Sequence, residues 1–206
     1  MSILLDYDNA IKSDYPILCG VDEAGRGPLC GPVCCAAVVL KDGFICDGIN
    51  DSKKLSAKKR EQLFDIIIEN CQSYSVCFVD EKKIDEINIL NATLLGMKMA
   101  VKQLDLTPNL VLIDGNKLPN DMSIESRAII KGDSQSMSIA AASILAKVSR
   151  DRYMLKVHEK YPQYAIDKHK GYPTKLHYEL LEKYGVPNFY RKTFLKNRND
   201  LIWIEN

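Results

Sequence analysis

What is absent from this sequence narrows its class before any motif is read. No apolar run approaches the ~18 residues of a membrane-spanning helix. The first residues, with acidic Asp6 and Asp8, lack the basic, apolar, small-residue order of a secretion signal. A cytoplasmic protein without membrane attachment is expected. Seven cysteines, an odd number, include no C-x-x-C pair, which argues against a zinc ribbon or a disulfide framework. Cys19, Cys34, Cys35 and Cys77 read instead as small apolar core residues in a reducing compartment. The three histidines, His158, His169 and His177, stand at no metal-ligand spacing to a cysteine and read as structural or surface residues. Net charge is nearly absent too, because 28 basic residues meet 27 acidic ones. That excludes a basic coat over the whole surface and still permits a local basic face. Internal repeats and low-complexity tracts are missing.

A sizeable core is present. Hydrophobic residues make up 46% of the chain and charged residues 27%, the balance of an ordinary globular domain. At roughly 150 residues per domain, a length of 206 suggests one main domain over 1–160 with a small helical appendage over 161–206, both in one compact unit. The apolar stretch 17–21 reads as a buried strand that delivers Asp22 and Glu23 at its carboxyl end. Neighbouring strand residues point to opposite faces, so this pair can meet one ion only if the strand bends or one ligand reaches over the edge. The loop Gly25-Arg26-Gly27 follows, with glycines suited to a tight bend and an arginine fork suited to phosphate.

The device recurs along the chain. A second apolar strand covers 33–40, with Lys41-Asp42-Gly43 as its turn. A helix over 57–70 has Ser56 as its cap, and Lys53 and Lys54 just ahead of it read on their own as a solvated face. A third strand spans 73–79, and a helical pattern over 81–103 has an interruption near 88–91. Strand 109–113 then runs into Asp114-Gly115, and strand 126–131 into Gly132-Asp133. In α/β sheets the carboxyl ends of strands form the crevice where ligands bind. One such Asp-Gly is best read as a turn, but Asp22, Glu23, Asp114 and Asp133 at three strand ends make a converging acidic cluster the better reading. From Ser134 a long helix carries many small residues, which would let it lie close to the sheet with Asp133 at its positive end. Its Lys147, Arg150 and Arg152 are read with equal weight as plain surface. Residues 1–16 read as a polar lead-in with little chemistry.

Hard oxygen ligands without histidine or thiolate favour Mg2+ or Mn2+. Two such ions, ~3.5 to 4 Å apart, form a standard arrangement for phosphodiester cleavage. Near the end of the chain come His169-Lys170-Gly171-Tyr172-Pro173-Thr174, an amphipathic helix over 175–183, and a basic tail with Arg191, Lys192, Lys196 and Arg198. A basic, aromatic-bearing segment beside an acidic metal site reads as a clamp for nucleic acid. The alternative for Tyr172 is a turn aromatic packed on the core. Residue types alone thus support a metal-dependent phosphoryl-transfer enzyme.

Over nearly its whole length the sequence resembles the ribonuclease HII family, the type 2 ribonucleases H. The resemblance runs from Asp22-Glu23-Ala24-Gly25-Arg26-Gly27-Pro28 through Asp51-Ser52-Lys53-Lys54-Leu55, Asp114-Gly115, Lys131-Gly132-Asp133 and Ser138 to Ile144, as far as Gly171-Tyr172-Pro173-Thr174. It implies an α/β, ribonuclease H-like fold: a central mixed sheet flanked by helices, with a small helical carboxyl-terminal region. It implies an endonuclease that cleaves the RNA strand of RNA-DNA hybrids and nicks 5′ of single ribonucleotides in duplex DNA, leaving 3′-hydroxyl and 5′-phosphate ends. That step begins ribonucleotide excision repair. Asp22, Glu23, Asp114 and Asp133 match the four catalytic, metal-binding carboxylates for Mn2+ or Mg2+, with Asp133 serving the second ion or the leaving group. Gly25, Arg26 and Gly27 match the loop whose backbone reads the 2′-hydroxyl. Tyr172 matches the tyrosine that bonds to it and stacks on the next sugar, and Lys53 matches a phosphate contact. The stretch Phe189 to Phe194 departs from the pattern, where many members carry histidine before the arginine and serine in place of Thr193. A monomer is expected, with no partner-binding extension. The rivals are a type 3 ribonuclease H, disfavoured by the glycine-arginine-glycine loop and Tyr172, and a non-catalytic binder, disfavoured because acidic groups facing phosphate weaken binding.

Overall fold

In a computed structural model of the chain, which describes residues 3–46, 48–49 and 55–204, the first apolar run becomes the middle strand of a five-stranded sheet. This strand, β1 (Leu18–Ala24), pairs antiparallel with β2 (Val33–Leu40), and β2 pairs antiparallel with β3 (Cys71–Val79). On its other side β1 lies parallel to β4 (Leu110–Asp114), which is parallel to β5 (Ser126–Ile129). The spatial order is β3-β2-β1-β4-β5, a mixed sheet. β2 is buried along its whole length, as its unbroken apolar run predicts for a strand covered on both faces. β3, at the edge, alternates buried and exposed positions.

The helices are α1 (Ile3–Lys12), α2 (Ala57–Glu69), α3 (Glu81–Lys102), α4 (Met137–Lys160), α5 (Ile166–His169) and α6 (Lys175–Tyr184). Strand alternation sorts the core. Cys34, Ala36 and Val38 of β2 face Ala140, Ala141 and Ile144 of α4, together with Leu63 and Ile67 of α2. Cys35, Ala37 and Val39 face Ile84, Ala92 and Met97 of α3 on the other side. The small residues of α4 let it press onto β1. A Cβ built on Gly20 would lie 2.1 Å from the backbone carbon of Ser138. Ser56 accepts a hydrogen bond from Lys59 N at 3.2 Å, so the cap read for α2 is in place. The interruption expected near 88–91 is a kink at Asn88 (φ 66°, ψ 164°), whose side chain accepts from Asn91 N and recaps the second half of α3. All seven cysteines are free thiols, and Cys19, Cys34, Cys35 and Cys77 are core residues.

Two segments differ from expectation. The lead-in is a helix, because Leu4, Tyr7 and Ile11 form a stripe that packs against the core. Asp8 is buried on it and accepts from Ser138 N (2.8 Å) and Ser138 Oγ (2.7 Å) at the start of α4. α4 itself begins three residues later than expected, capped by Ser136, because a 3₁₀ turn over Gly132–Ser134 and a left-handed Lys131 intervene after β5. A third core cluster unites Leu29, Cys30 and Met154 with Tyr164, Leu181, Val186 and Tyr190, fastening the chain beyond α4 to the loop after β1.

Candidate active site

β1 continues in unbroken register with β2 from Cys19 to Ala24, so Asp22 and Glu23 lie inside the strand and no bulge brings them together. Asp22 shares the α4 face with Gly20, and Glu23 points to the α3 face. Asp114, the last residue of β4, follows Ile113, the partner of Val21. The side chains close the remaining gap by reaching over the end of the sheet. One carboxylate oxygen from each of Asp22, Glu23 and Asp114 lies within 4.8 Å of the others. Asp114 is held in place by Gly132, whose N–H donates to its Oδ1 at 2.6 Å. A Cβ at Gly132 would lie 2.5 Å from Ile139 Cδ1 and 3.3 Å from Asp114 Oδ1, so a side chain there would have to push the Ile139 methyl aside. Asp133, half-buried on the 3₁₀ turn, stands one residue beyond that contact and outside the group of three.

Burial, with the crowding of neighbouring carboxylates, raises the affinity of Asp22 and Glu23 for protons. Asp22 is pushed well above the usual carboxylate range, first by burial and then by the charges of Glu23 and Asp114. Glu23 is raised by burial as well, opposed by Arg26, whose Nη1 sits 3.4 Å from Glu23 Oε1. An all-oxygen donor set strained by its own charge fits a hard divalent cation. A small cleft of about 30 Å³ between Glu23, Arg26, Asp114, Asn116 and Lys117 opens beside it. A larger cavity of about 490 Å³ lies at the opposite end of β4, between Pro108, Met122 and Ile124, and shares none of these residues.

The raised carboxylates imply a stability test. Folded Asp22 keeps its proton where the unfolded chain has lost it, so stability falls as pH rises from the ordinary aspartate value near 4 through the raised folded one. Metal-free Asp22→Asn should therefore melt above wild type at pH 8, and the gap should close near pH 3. Mn2+ should raise the melting temperature of wild type more than that of the variant. Thermal melts in chelator at both pH values check this, and a variant that melts lower at pH 8 would refute the electrostatic account.

Beside the carboxylates, Gly25 adopts φ +96°, as its place in the glycine-arginine-glycine loop requires, and Arg26 and Gly27 are exposed. The half-exposed Tyr172 ring borders this loop: a Cβ on Gly27 would lie 3.8 Å from its Cε1. The structure thus brings Tyr172 to the Gly27 end of the Gly25-Arg26-Gly27 loop, and sets that loop two residues from Glu23. Lys53 lies outside the described residues.

A sequence model for one family, described as ribonuclease HII, matches residues 19–197. The chain belongs to the ribonuclease HII family. It is 56% identical over 190 residues to the ribonuclease HII of Caldicellulosiruptor bescii, covering 92% of each chain. It is 50% identical to that of Coxiella burnetii, covering 86% of this chain and 88% of the relative. Among solved structures, ribonuclease H2 from Pyrococcus horikoshii OT3 superposes with a TM-score of 0.76 at 31% identity, over 89% of this chain and 96% of that one. The fold is ribonuclease H-like, and membership of the ribonuclease HII family makes the chain a hydrolase, an endonuclease acting on the RNA strand of RNA-DNA hybrids.

Four site-supporting residues of this chain were not singled out for these roles by sequence reasoning. Ser143 of α4 hydrogen-bonds Asp22. Arg150, weighed above as surface, is fully buried, donating to the carbonyls of Pro32 (3.0 Å), Cys30 (3.2 Å) and Lys170 (3.0 Å). Its side chain also fills the space a Cβ on Gly25 would need, 2.0 Å from Nε. Arg191, grouped above with the basic tail, is fully buried as well and serves the glycine-arginine-glycine loop. The reason is common to both: an irregular, buried loop leaves carbonyls without ladder partners, and a guanidinium fork satisfies several at once. The other tail cations differ among themselves. Arg198 pairs with Glu182 and Asp200, and Lys192 lies over the Trp203 ring. His177, buried as expected of a structural histidine, donates from Nδ1 to the Tyr172 carbonyl at 2.8 Å and accepts from the Tyr190 hydroxyl at 2.7 Å. Burial holds its pKa down to about 4, so it is neutral at physiological pH and fixes the Tyr172 backbone as an uncharged donor.

Proposed function

We propose that this endonuclease nicks duplex DNA on the 5′ side of a single embedded ribonucleotide as well as cutting longer hybrids, and so begins ribonucleotide removal. The observation that carries the reading is that Glu23 of the acidic triad lies two residues before the glycine-arginine-glycine loop that follows β1, with the Tyr172 ring against that loop. A scissile phosphate at the triad puts the neighbouring ribose at the loop. Only the 2′-hydroxyl separates ribose from deoxyribose, and it both donates and accepts hydrogen bonds.

In this reading Asp22, Glu23 and Asp114 hold Mn2+ or Mg2+, and Asp133 serves a second ion or the leaving oxygen. When bound, such ions activate water and stabilise the leaving alkoxide. The chain's own contribution is placement. Gly132 fixes Asp114, Ser143 fixes Asp22, and Arg26 leans on Glu23. The backbone of Gly25, Arg26 and Gly27 reads the 2′-hydroxyl, with Lys53 on a phosphate. Residues 161–206 form the substrate-contacting helical region of one compact unit, and the enzyme works as a cytoplasmic monomer. Among the described residues no helix is long and apolar enough to cross a membrane.

Tyr172 gives a graded test. Tyr172→Phe keeps the ring and loses one hydrogen bond worth on the order of 1 kcal/mol, so single-ribonucleotide cleavage should slow by roughly tenfold. Tyr172→Ala also loses an aromatic contact worth ~1 to 3 kcal/mol and should be slower still. Single-turnover cleavage of a duplex with one ribonucleotide checks the order, and wild-type speed in Tyr172→Ala would return the residue to a packing role. The function as a whole is tested by digesting duplexes that carry one, four or many ribonucleotides. Cleavage of the single-ribonucleotide duplex at its 5′ side supports the reading; activity confined to long RNA tracts refutes it.

A further inference from the structure

Arg191 is a buried cation that forms no ion pair among the described residues, although the charges of Glu81 and Asp85 favour its ionised form. Its guanidinium makes five hydrogen-bond donors available; it lies over the Phe194 ring, and every side-chain hydrogen bond it forms among the described residues goes to backbone. Nη2 donates to the Gly25 carbonyl at 2.7 Å, and Nη1 to the Arg26 carbonyl at 3.0 Å. Nε and Nη2 both donate to the Gly31 carbonyl, at 3.0 and 2.8 Å. Its own N–H donates to the Leu29 carbonyl at 2.9 Å, and the next two residues are anchored from outside by Asp85, which accepts from Lys192 N and Thr193 N. The side chain is therefore fixed at its root and at its tip.

Burying an unpaired guanidinium is costly, and packing alone would be served as well by an apolar residue. What the charge accomplishes is directional. In a planar trans peptide the C=O and the following N–H point opposite ways. Holding the Gly25 and Arg26 carbonyls inward turns the N–H groups of Arg26 and Gly27 outward, at the two exposed residues of the loop. Among the described residues neither N–H meets an acceptor. A cation on the carbonyl side also polarises each peptide and strengthens the opposite N–H as a donor. Two outward donors three and four residues from the triad carboxylate Glu23, bordered by the Tyr172 ring, suit one hydroxyl oxygen of a sugar next to the scissile phosphate.

We propose that Arg191 is a positioning residue for ribose recognition: from the buried side it fixes the Gly25 and Arg26 carbonyls so that the N–H groups of Arg26 and Gly27 are aimed at the 2′-hydroxyl. This rests on the proposed function above. Burial and the neighbouring charge of Arg150 lower its pKa to about 10, which leaves the guanidinium charged at neutral pH. Arg191→Lys keeps a charge and loses the planar fork that spans both carbonyls.

The test measures a preference rather than a rate. In an Asp114→Asn background, which suppresses cleavage, affinities are measured for a duplex with one ribonucleotide and for the all-DNA duplex of the same sequence. Arg191→Lys should cut the ratio of the two roughly tenfold, the effect of weakening two hydrogen bonds, and change the all-DNA affinity by less than about twofold. An unchanged ratio, or an equal fall in both affinities as from simple loosening of the fold, overturns the proposal. A second measurement needs no change at Arg191. In the 15N-labelled Asp114→Asn protein, the amide resonances of Arg26 and Gly27 should move with the ribonucleotide duplex and stay in place with the all-DNA duplex. Amides that respond to neither duplex, or alike to both, overturn the proposal even if Arg191→Lys does not fold. If the Asp114→Asn protein itself shows no preference for the ribonucleotide duplex, the failure belongs to the proposed function and not to Arg191.

Discussion

Asp114→Asn should slow cleavage roughly a thousandfold or more, equivalent to about 4 kcal/mol of transition-state stabilisation, with duplex affinity within about threefold of wild type. The substitution is nearly isosteric. Its side-chain oxygen can still accept from Gly132 N, so the turn that carries Asp133 stays in place. What disappears is one of three negative charges whose oxygens lie within 4.8 Å. The charge on Asp114 raises the proton affinity of both Asp22 and Glu23, so its loss relieves the fold as it weakens the metal site. A thermal melt at or above the wild-type temperature together with lost turnover would assign the defect to chemistry. Single-turnover cleavage and equilibrium binding on the same duplex check both halves, and turnover near wild type would remove Asp114 from the metal site.

The largest effect on stability is expected at Gly20, far from any reacting atom. A Cβ there would lie 2.1 Å from Ser138 C, 2.3 Å from Ser138 O and 2.4 Å from Ile139 N. All three are backbone atoms at the start of α4, so no side chain can rotate away. α4 must lift off β1, and with it go Ser143 behind Asp22 and the Asp8 contact to Ser138. Overpacking against an unyielding neighbour should cost Gly20→Ala about 3 kcal/mol or more. For a chain of this size that is a fall of roughly 10 °C in melting temperature. Gly27→Ala, where the nearest atom is 3.8 Å away, serves as the control and should stay within about 0.5 kcal/mol. Equal melting temperatures for the two variants would show that the close approach of α4 to β1 does not hold the site together.

The triad could be read from the sequence because its signal is local: an apolar strand that ends in a carboxylate beside glycine, seen at Asp22-Glu23 and again at Asp114. Strand alternation even posed the right question about Asp22 and Glu23, and the side chains answer it by reaching over the sheet end without a bulge. The signal at Asp133 was less complete, because the 3₁₀ turn between β5 and α4 has no periodicity that would place it. Arg150 and Arg191 were hidden for a different reason. Each satisfies carbonyls distant in the chain, as when Arg191 bonds Gly25 and Gly31, and nothing in the residues flanking an arginine announces such partners. Helix α1 was missed because Asp6 and Asp8 interrupt a three-residue stripe, and Asp8 is buried only because Ser138 meets it.

The central claim is that Asp22, Glu23 and Asp114 direct divalent-metal hydrolysis next to a recognised ribose. Its most direct test is the chemistry of the ends left when a duplex carrying one ribonucleotide is cut with Mn2+ or Mg2+ present and again in chelator. The account predicts a single nick 5′ of the ribonucleotide, with 3′-hydroxyl and 5′-phosphate ends, only when metal is present. Cleavage in chelator, or a 2′,3′-cyclic phosphate formed by attack of the 2′-hydroxyl itself, would contradict it.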